Sequence, residues 1–95
     1  MAYTETMKRV SDLAAEIRQT TAVHPVRTGW VIRPHHTNGT IQIGHKNIFE
    51  HPYLKAECFT LIHMLEALGM FDMYGYKIVY WHPEEASDQE QLTLS

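Results

Sequence analysis

One stretch, PYLKAECFTLIHMLEAL at residues 52–68, leaves the chain the least conformational freedom. Leu54, Cys58, Leu61, Leu65 and Leu68 recur at spacings of four, three, four and three, one stripe of a helix that turns every 3.6 residues. Pro52 suits the first helical position, where its missing N–H costs nothing. Gly69 suits the position after the last turn, where a left-handed backbone is often required. The spacing therefore predicts an amphipathic helix over 52–68 that buries this stripe against a sheet.

The opposite side of that helix is short of charge. It carries Ala56, Phe59, Thr60, His63 and Ala67, while Lys55, Glu57 and Glu66 sit on the flanks. A helix on a small domain normally shows water a strongly charged back. The expected cover is the N-terminal helix; the competing one is a second copy of the chain or a partner protein. Plain exposure is the third reading, since Ala and Thr are at home on a surface.

A chain of 95 residues forms one domain and can bury a single core without staples. Hydrophobic content of 44% with 20% charged residues describes a globular chain. A net charge of −3 argues against a general nucleic-acid binder, though not against a local basic patch. Cys58 is the single cysteine, so no disulfide forms within the chain, and a reducing, cytoplasmic setting is expected. On the apolar stripe it reads as a small buried hydrophobe. Residues 1–20 lack the apolar core of a signal peptide, and no apolar run nears the ~18 residues that span a bilayer.

Residues 4–20 read as a helix with Met7, Val10, Leu13, Ala14 and Ile17 on its apolar side. Thr4 is its cap, Glu5–Arg9 and Lys8–Asp12 are i,i+4 pairs, and Lys8, Arg9, Asp12, Glu16 and Arg18 form a solvated face. Residues 26–34 and 40–45 read as a hairpin turning at Asn38-Gly39. A two-residue loop sets His36 opposite Ile41, Pro34 opposite Ile43 and Ile32 opposite His45. Trp30, Ile32, Pro34, Ile41 and Ile43 then share one face. Arg27, Val31, Arg33, His35 and Gln42 share the other, wet face. Ile48 and Phe49 staple the helix entry. Met70, Phe71, Met73 and Tyr74 crowd the loop at 70–75, which either folds inward as a lid on the core or presents an apolar contact surface.

Residues 76–82 form the third strand. Tyr76, Ile78 and Tyr80 point one way; Lys77, Val79 and Trp81 point the other. Two apolar faces predict a central or doubly covered strand. The predicted fold is a single α+β domain over 1–82 in the order α-β-β-α-β, its three strands antiparallel throughout in the order 2-1-3. A polar acidic tail follows at 83–95.

Reaction chemistry is sparse. His35, His36 and His45 cluster near the hairpin, but no pair has metal-ligand helical spacing and no Cys–His group exists, so neither a metal nor a cofactor is expected. Glu57 and Glu66 lie more than two turns apart without an acidic partner. No Gly-rich phosphate loop, CxxC or Ser–His–Asp set is evident. Gly29-Trp30-Val31-Ile32-Arg33, Asn38-Gly39-Thr40, Lys55-Ala56-Glu57 and Lys77-Ile78-Val79-Tyr80 resemble the front of a ribonuclease-H-like domain in their order of hairpin, helix and strand. That family needs a carboxylate on the first strand and another after the strand following the helix. Here the first strand has none and the third ends in Trp81-His82-Pro83, so the resemblance implies topology and not nuclease activity.

The leading functional expectation is a non-enzymatic interaction module, in two or more copies, that binds and inhibits a larger complex, as small phage or mobile-element accessory proteins do. Trp30, Arg33, Phe59, His63, Met70, Phe71, Met73, Tyr74 and Trp81 are its candidate contacts. The first alternative is nucleic-acid contact through Arg27, Arg33, His35, Lys46 and Lys77 beside sheet aromatics. The second is a small metal- or nucleotide-dependent enzyme using His35, His36, His45 and Glu57.

Overall fold

The computed structural model describes residues 4–21 and 29–83. Arg27 and His24, and the acidic tail beyond Pro83, lie outside them. The order of elements is α1 (Glu5–Thr21), β1 (Trp30–His35), β2 (Thr40–His45), α2 (Tyr53–Leu68), a 3₁₀ turn η1 (Asp72–Tyr74) and β3 (Lys77–Trp81). Thr4 caps α1 as its sequence implies: its Oγ1 accepts the backbone N–H of Met7 at 3.1 Å. The Glu5–Arg9 pair forms at 3.2 Å on the exposed side. Arg18 departs from the expected solvated face, because its Nη1 donates to the carbonyl oxygen of Ile32 and ties α1 to β1.

The hairpin closes through a longer loop than Asn38-Gly39 alone. Trp30 pairs with His45, Ile32 with Ile43, Pro34 with Ile41 and His35 with Thr40. Residues 36–39 make the turn, held by Asn38 N–H to His35 O at 3.2 Å and Gly39 N–H to His36 O at 3.3 Å. The pairing is thus shifted from the two-residue-loop register, and the physical reason is His36. Both of its ring nitrogens are engaged, one 3.1 Å from Ser11 Oγ and the other 2.7 Å from Tyr76 Oη, which draws it out of the ladder. A shift by an even number of residues preserves the faces. Trp30, Ile32, Pro34, Ile41 and Ile43 still share one side.

The third strand corrects two expectations. It lies beside β2 and parallel to it, giving the mixed order β1-β2-β3 rather than an antiparallel 2-1-3. It forms an edge of the sheet, as it would in the expected order, and its two faces are half-buried or exposed rather than doubly covered. The helix does return the chain, so β3 runs opposite to β1. A β-α-β crossover then seats it next to the strand it left. Gly44 permits this closeness, since a side chain there would strike the backbone carbonyl of Trp81.

Both helices cover the same face of the sheet. Val10, Ala14 and Ile17 of α1 and Ile62 and Leu65 of α2 join Ile32, Ile41, Ile43, Phe71 and Tyr76 in one buried cluster. α1 packs over β1, and α2 over β2 and β3. The N-terminal helix therefore sits beside α2 and does not cover its back. Gly69 ends α2 with φ 66°, and the bonds Gly69 N–H to Glu66 O and Met70 N–H to Leu65 O close the last turn. The chain then turns Phe71 straight into the core.

Candidate interaction surface

The buried side of α2 is rotated from the leucine stripe. Leu54, Cys58, Ile62 and Leu65 are buried, Leu61 is half-buried, and Leu68 is 65% exposed. Ile62 takes the place expected of Leu61 because the helix is apolar over more of its circumference than one sheet can use. What remains faces outward: Tyr53 (51% exposed), Ala56, Thr60, His63, Met64 (52% exposed), Ala67 and Leu68. At 100° per residue, the side chains from His63 round to Leu61 span roughly 160° and include one charge, Glu57. Lys55 and Glu66 lie on the other flank, beside Phe59, whose ring stacks on Tyr80 with centroids 4.7 Å apart. Phe49, exposed in the loop before α2, meets the ring of His82 edge-on at 5.6 Å.

The candidate contacts read from sequence divide clearly. His63, Met73 and Arg33 are exposed; Trp30, Phe59, Met70, Tyr74 and Trp81 are half-buried. Phe71 is 0% exposed and is a core residue, unable to touch a partner in the folded chain. The segment 70–75 thus folds inward as a lid, leaving Met73 at 74% exposure as its outward point. Tyr53, Met64 and Leu68 were missed. The signal that could have found them is the second apolar run, Leu54, Cys58, Ile62 and Leu65, which uses the helix equally well and turns Met64 and Leu68 to water.

The polar contacts inside the fold are struts. Ser11, His36 and Tyr76 form a hydrogen-bonded chain that joins α1, the hairpin tip and the start of β3. Ser11 lies within α1, where the neighbouring backbone N–H groups are committed to the helix, so α1 lends no oxyanion hole to a nucleophile there. His45 is fully buried under Trp30, ring centroids 5.1 Å apart, and its Nδ1 accepts the N–H of Asn47 at 3.0 Å. That bond fixes the tautomer with its proton on Nε2. Cys58 is buried in α2, and burial, with Glu57 beside it, pushes its thiol up to about 11. It is a packing residue, not a nucleophile at neutral pH.

Among the described residues, no three His, Cys, Asp or Glu side chains cluster as metal ligands, and no helix is long and apolar enough to cross a membrane. A shallow groove of about 340 Å³ lies between the end of α2 and β3, lined by Leu65, Glu66, Asp72, Tyr76, Lys77 and Ile78. The chain matches no family model, and no curated protein or solved structure matches it significantly.

Proposed function

We propose that this protein is a small, non-enzymatic binding module that docks through the outer face of α2 onto a larger protein assembly and inhibits it by occupying that site. The carrying observation is the arc on α2 with Glu57 as its single charge, in which Tyr53, Met64 and Leu68 stand exposed around the small residues Ala56, Thr60 and Ala67. Aromatic and Met side chains at the centre of such a patch are the usual anchors of a protein contact, and the small residues between them let another helix approach closely. The neighbouring helix does not shield the arc, because α1 is placed over β1.

A second copy of the chain is the first occupant to test. The arc opposes little like charge when packed on itself, and a two-fold pairing would bury both patches at once. A reducing, cytoplasmic setting suits its one thiol. Light scattering on the wild type and on a Met64→Glu/Leu68→Glu variant tests the proposal. The variant is expected to keep its melting temperature and to lose both self-association and capture of partner assemblies. A variant that binds partners as the wild type does would end the reading; a wild type that stays monomeric at high concentration would end its homodimeric form.

A further inference from the structure

The face of the sheet turned away from the helices has a different chemistry, and from it we infer a second binding site, for single-stranded nucleic acid. Pairing across the strands sets the side chains of this face in rows. His35, Thr40 and Lys77 make the first, Arg33, Gln42 and Val79 the second, and Val31, Gly44 and Trp81 the third. No Asp or Glu occurs in the three described strands. The two full charges of the sheet, Arg33 and Lys77, both fall on this face and both are exposed, as is His35. The chain as a whole carries a net charge of −3, so the cations of this face are segregated, not sampled from a basic surface. Glu66 and Asp72 line a groove with Lys77 at the start of β3 and belong to α2 and the turn after it, not to the strands.

The arrangement suits a ligand that alternates anions with flat apolar rings. With strands about 4.8 Å apart, Arg33 on β1 and Lys77 on β3 are separated by roughly 10 Å across the sheet and by one row along it. Val79, 38% exposed, lies two residues along β3 from Lys77 and across Gln42 from Arg33, and Gln42, whose Oε1 accepts from Arg33 Nε at 3.4 Å, holds the guanidinium over the face. The exposed ring of His35 and the half-buried indole of Trp81 stand at opposite ends of the three rows. Gly44 makes room for that indole, whose ring edge lies where a side chain at 44 would be. Phosphates meet the cations and bases meet the rings, the mode by which open sheets hold single strands. An acidic peptide would use the cations and leave the rings without a flat partner. Of the residues singled out in the sequence for such contact, Arg33, His35 and Lys77 are brought together here, whereas Lys46 is exposed in the loop beyond β2.

Fluorescence anisotropy with a labelled single-stranded oligonucleotide tests the site on the full chain. With two phosphates neutralised, affinity should fall about sevenfold for a fourfold rise in salt. Arg33→Glu/Lys77→Glu, both on exposed side chains, should abolish binding while the melting temperature is kept, and Lys55→Glu on α2 should leave it unchanged. Trp81→Ala should weaken it about fivefold or more without changing the salt dependence. No binding by the wild type at low salt, or equal binding by the double charge reversal, would overturn the site. A polyglutamate peptide of matched charge that binds as tightly as the oligonucleotide would overturn the assignment to nucleic acid. None of these variants touches the outer face of α2, so the outcome is independent of the protein-docking proposal.

Discussion

The two helices are nearly equal in length, 17 residues in α1 and 16 in α2, and lie on the same face of the same sheet, yet they present opposite backs to water. α1 buries Val10, Ala14 and Ile17 and shows Lys8, Arg9, Asp12 and Glu16. Its first turn is closed by a side-chain cap, and Arg18 anchors it to β1. α2 buries Leu54, Cys58, Ile62 and Leu65 and shows Tyr53, Thr60, Met64 and Leu68. Its start has no side-chain cap bond, and its end is secured by Gly69. α1 is complete as a surface helix. α2 turns one apolar side to the sheet and leaves a second, nearly uncharged side exposed. An outward charge costs a helix little, so the scarcity of charge on the outer side of α2 is the feature on which the docking proposal rests, and the back of α1 has no counterpart to it.

The most forceful way to break this comparison is at Phe71. If the inner side of α2 and the lid that follows it are one packed unit, Phe71→Ala opens a large hole among Ile62, Leu65 and Ile41. It should cost about 3–5 kcal/mol in urea unfolding. Met73→Ala, two residues on and mostly exposed, should change stability by less than about 0.5 kcal/mol. Near-equal effects would mean that the segment 70–75 packs loosely and belongs with the outward face after all.

These two residues also show what a single sequence could and could not say. The composition of 70–75 marked it as apolar in a place where loops are polar, but Met and Phe satisfy a core and an interface alike. Only the left-handed turn at Gly69, which sends Phe71 back under the sheet, distinguishes them. The helix over 52–68 and its Gly69 stop were legible because position-specific backbone chemistry marks both ends. The α2 stripe was not, because two apolar stripes compete and each has correct helical spacing. In the hairpin, alternation of period two kept the facing of Ile32, Ile41 and Ile43 legible despite the wrong loop length. The register itself was set by a long-range contact, His36 with Ser11 and Tyr76, that no local pattern announces. The position of β3 was ambiguous for the same reason: a helix reverses the chain but does not say beside which strand it returns. The cationic face was half legible, since Arg33 and His35 share a parity within one strand while Lys77 joins them only through the parallel pairing of β2 with β3.

Smaller effects sharpen the difference between the helices. Tyr76→Phe removes the hydroxyl that binds His36 and should cost about 1 kcal/mol, because one partly buried hydrogen bond is lost with little change in shape. The loss should appear as faster amide exchange at the tip of the hairpin and along α1, which the strut joins, and not along α2. Uniform acceleration over both helices would mean that the strut supports the whole fold rather than the attachment of α1. Thr4→Ala should cost about as much, roughly 0.5–2 kcal/mol, through the open first turn of α1. No side chain plays this part in α2, so Pro52→Ala should leave α2 starting at the same residue, checked by amide exchange.

The smallest effect concerns a place where the helices look alike. Ala14 and Cys58 are both small, both fully buried and both on the sheet-facing side of their helices. They differ in that Cys58 titrates. In the fold, burial first and Glu57 second hold its proton until about pH 11. In the unfolded chain an ordinary thiol releases it near pH ~8.5. Between those values the folded state binds more protons than the unfolded state, so stability must fall as pH rises across the window, and the contribution is complete below it. Urea unfolding of the wild type and of Cys58→Ala from pH 8 to pH 11 isolates the thiol from every other group in the chain. The gap between the two proteins should narrow on the alkaline side. A constant gap, together with alkylation of the native thiol at pH 9 as fast as a free thiol, would mean that water reaches Cys58. The inner side of α2 would then be as open as its outer side, and the contrast with α1 would lose its basis.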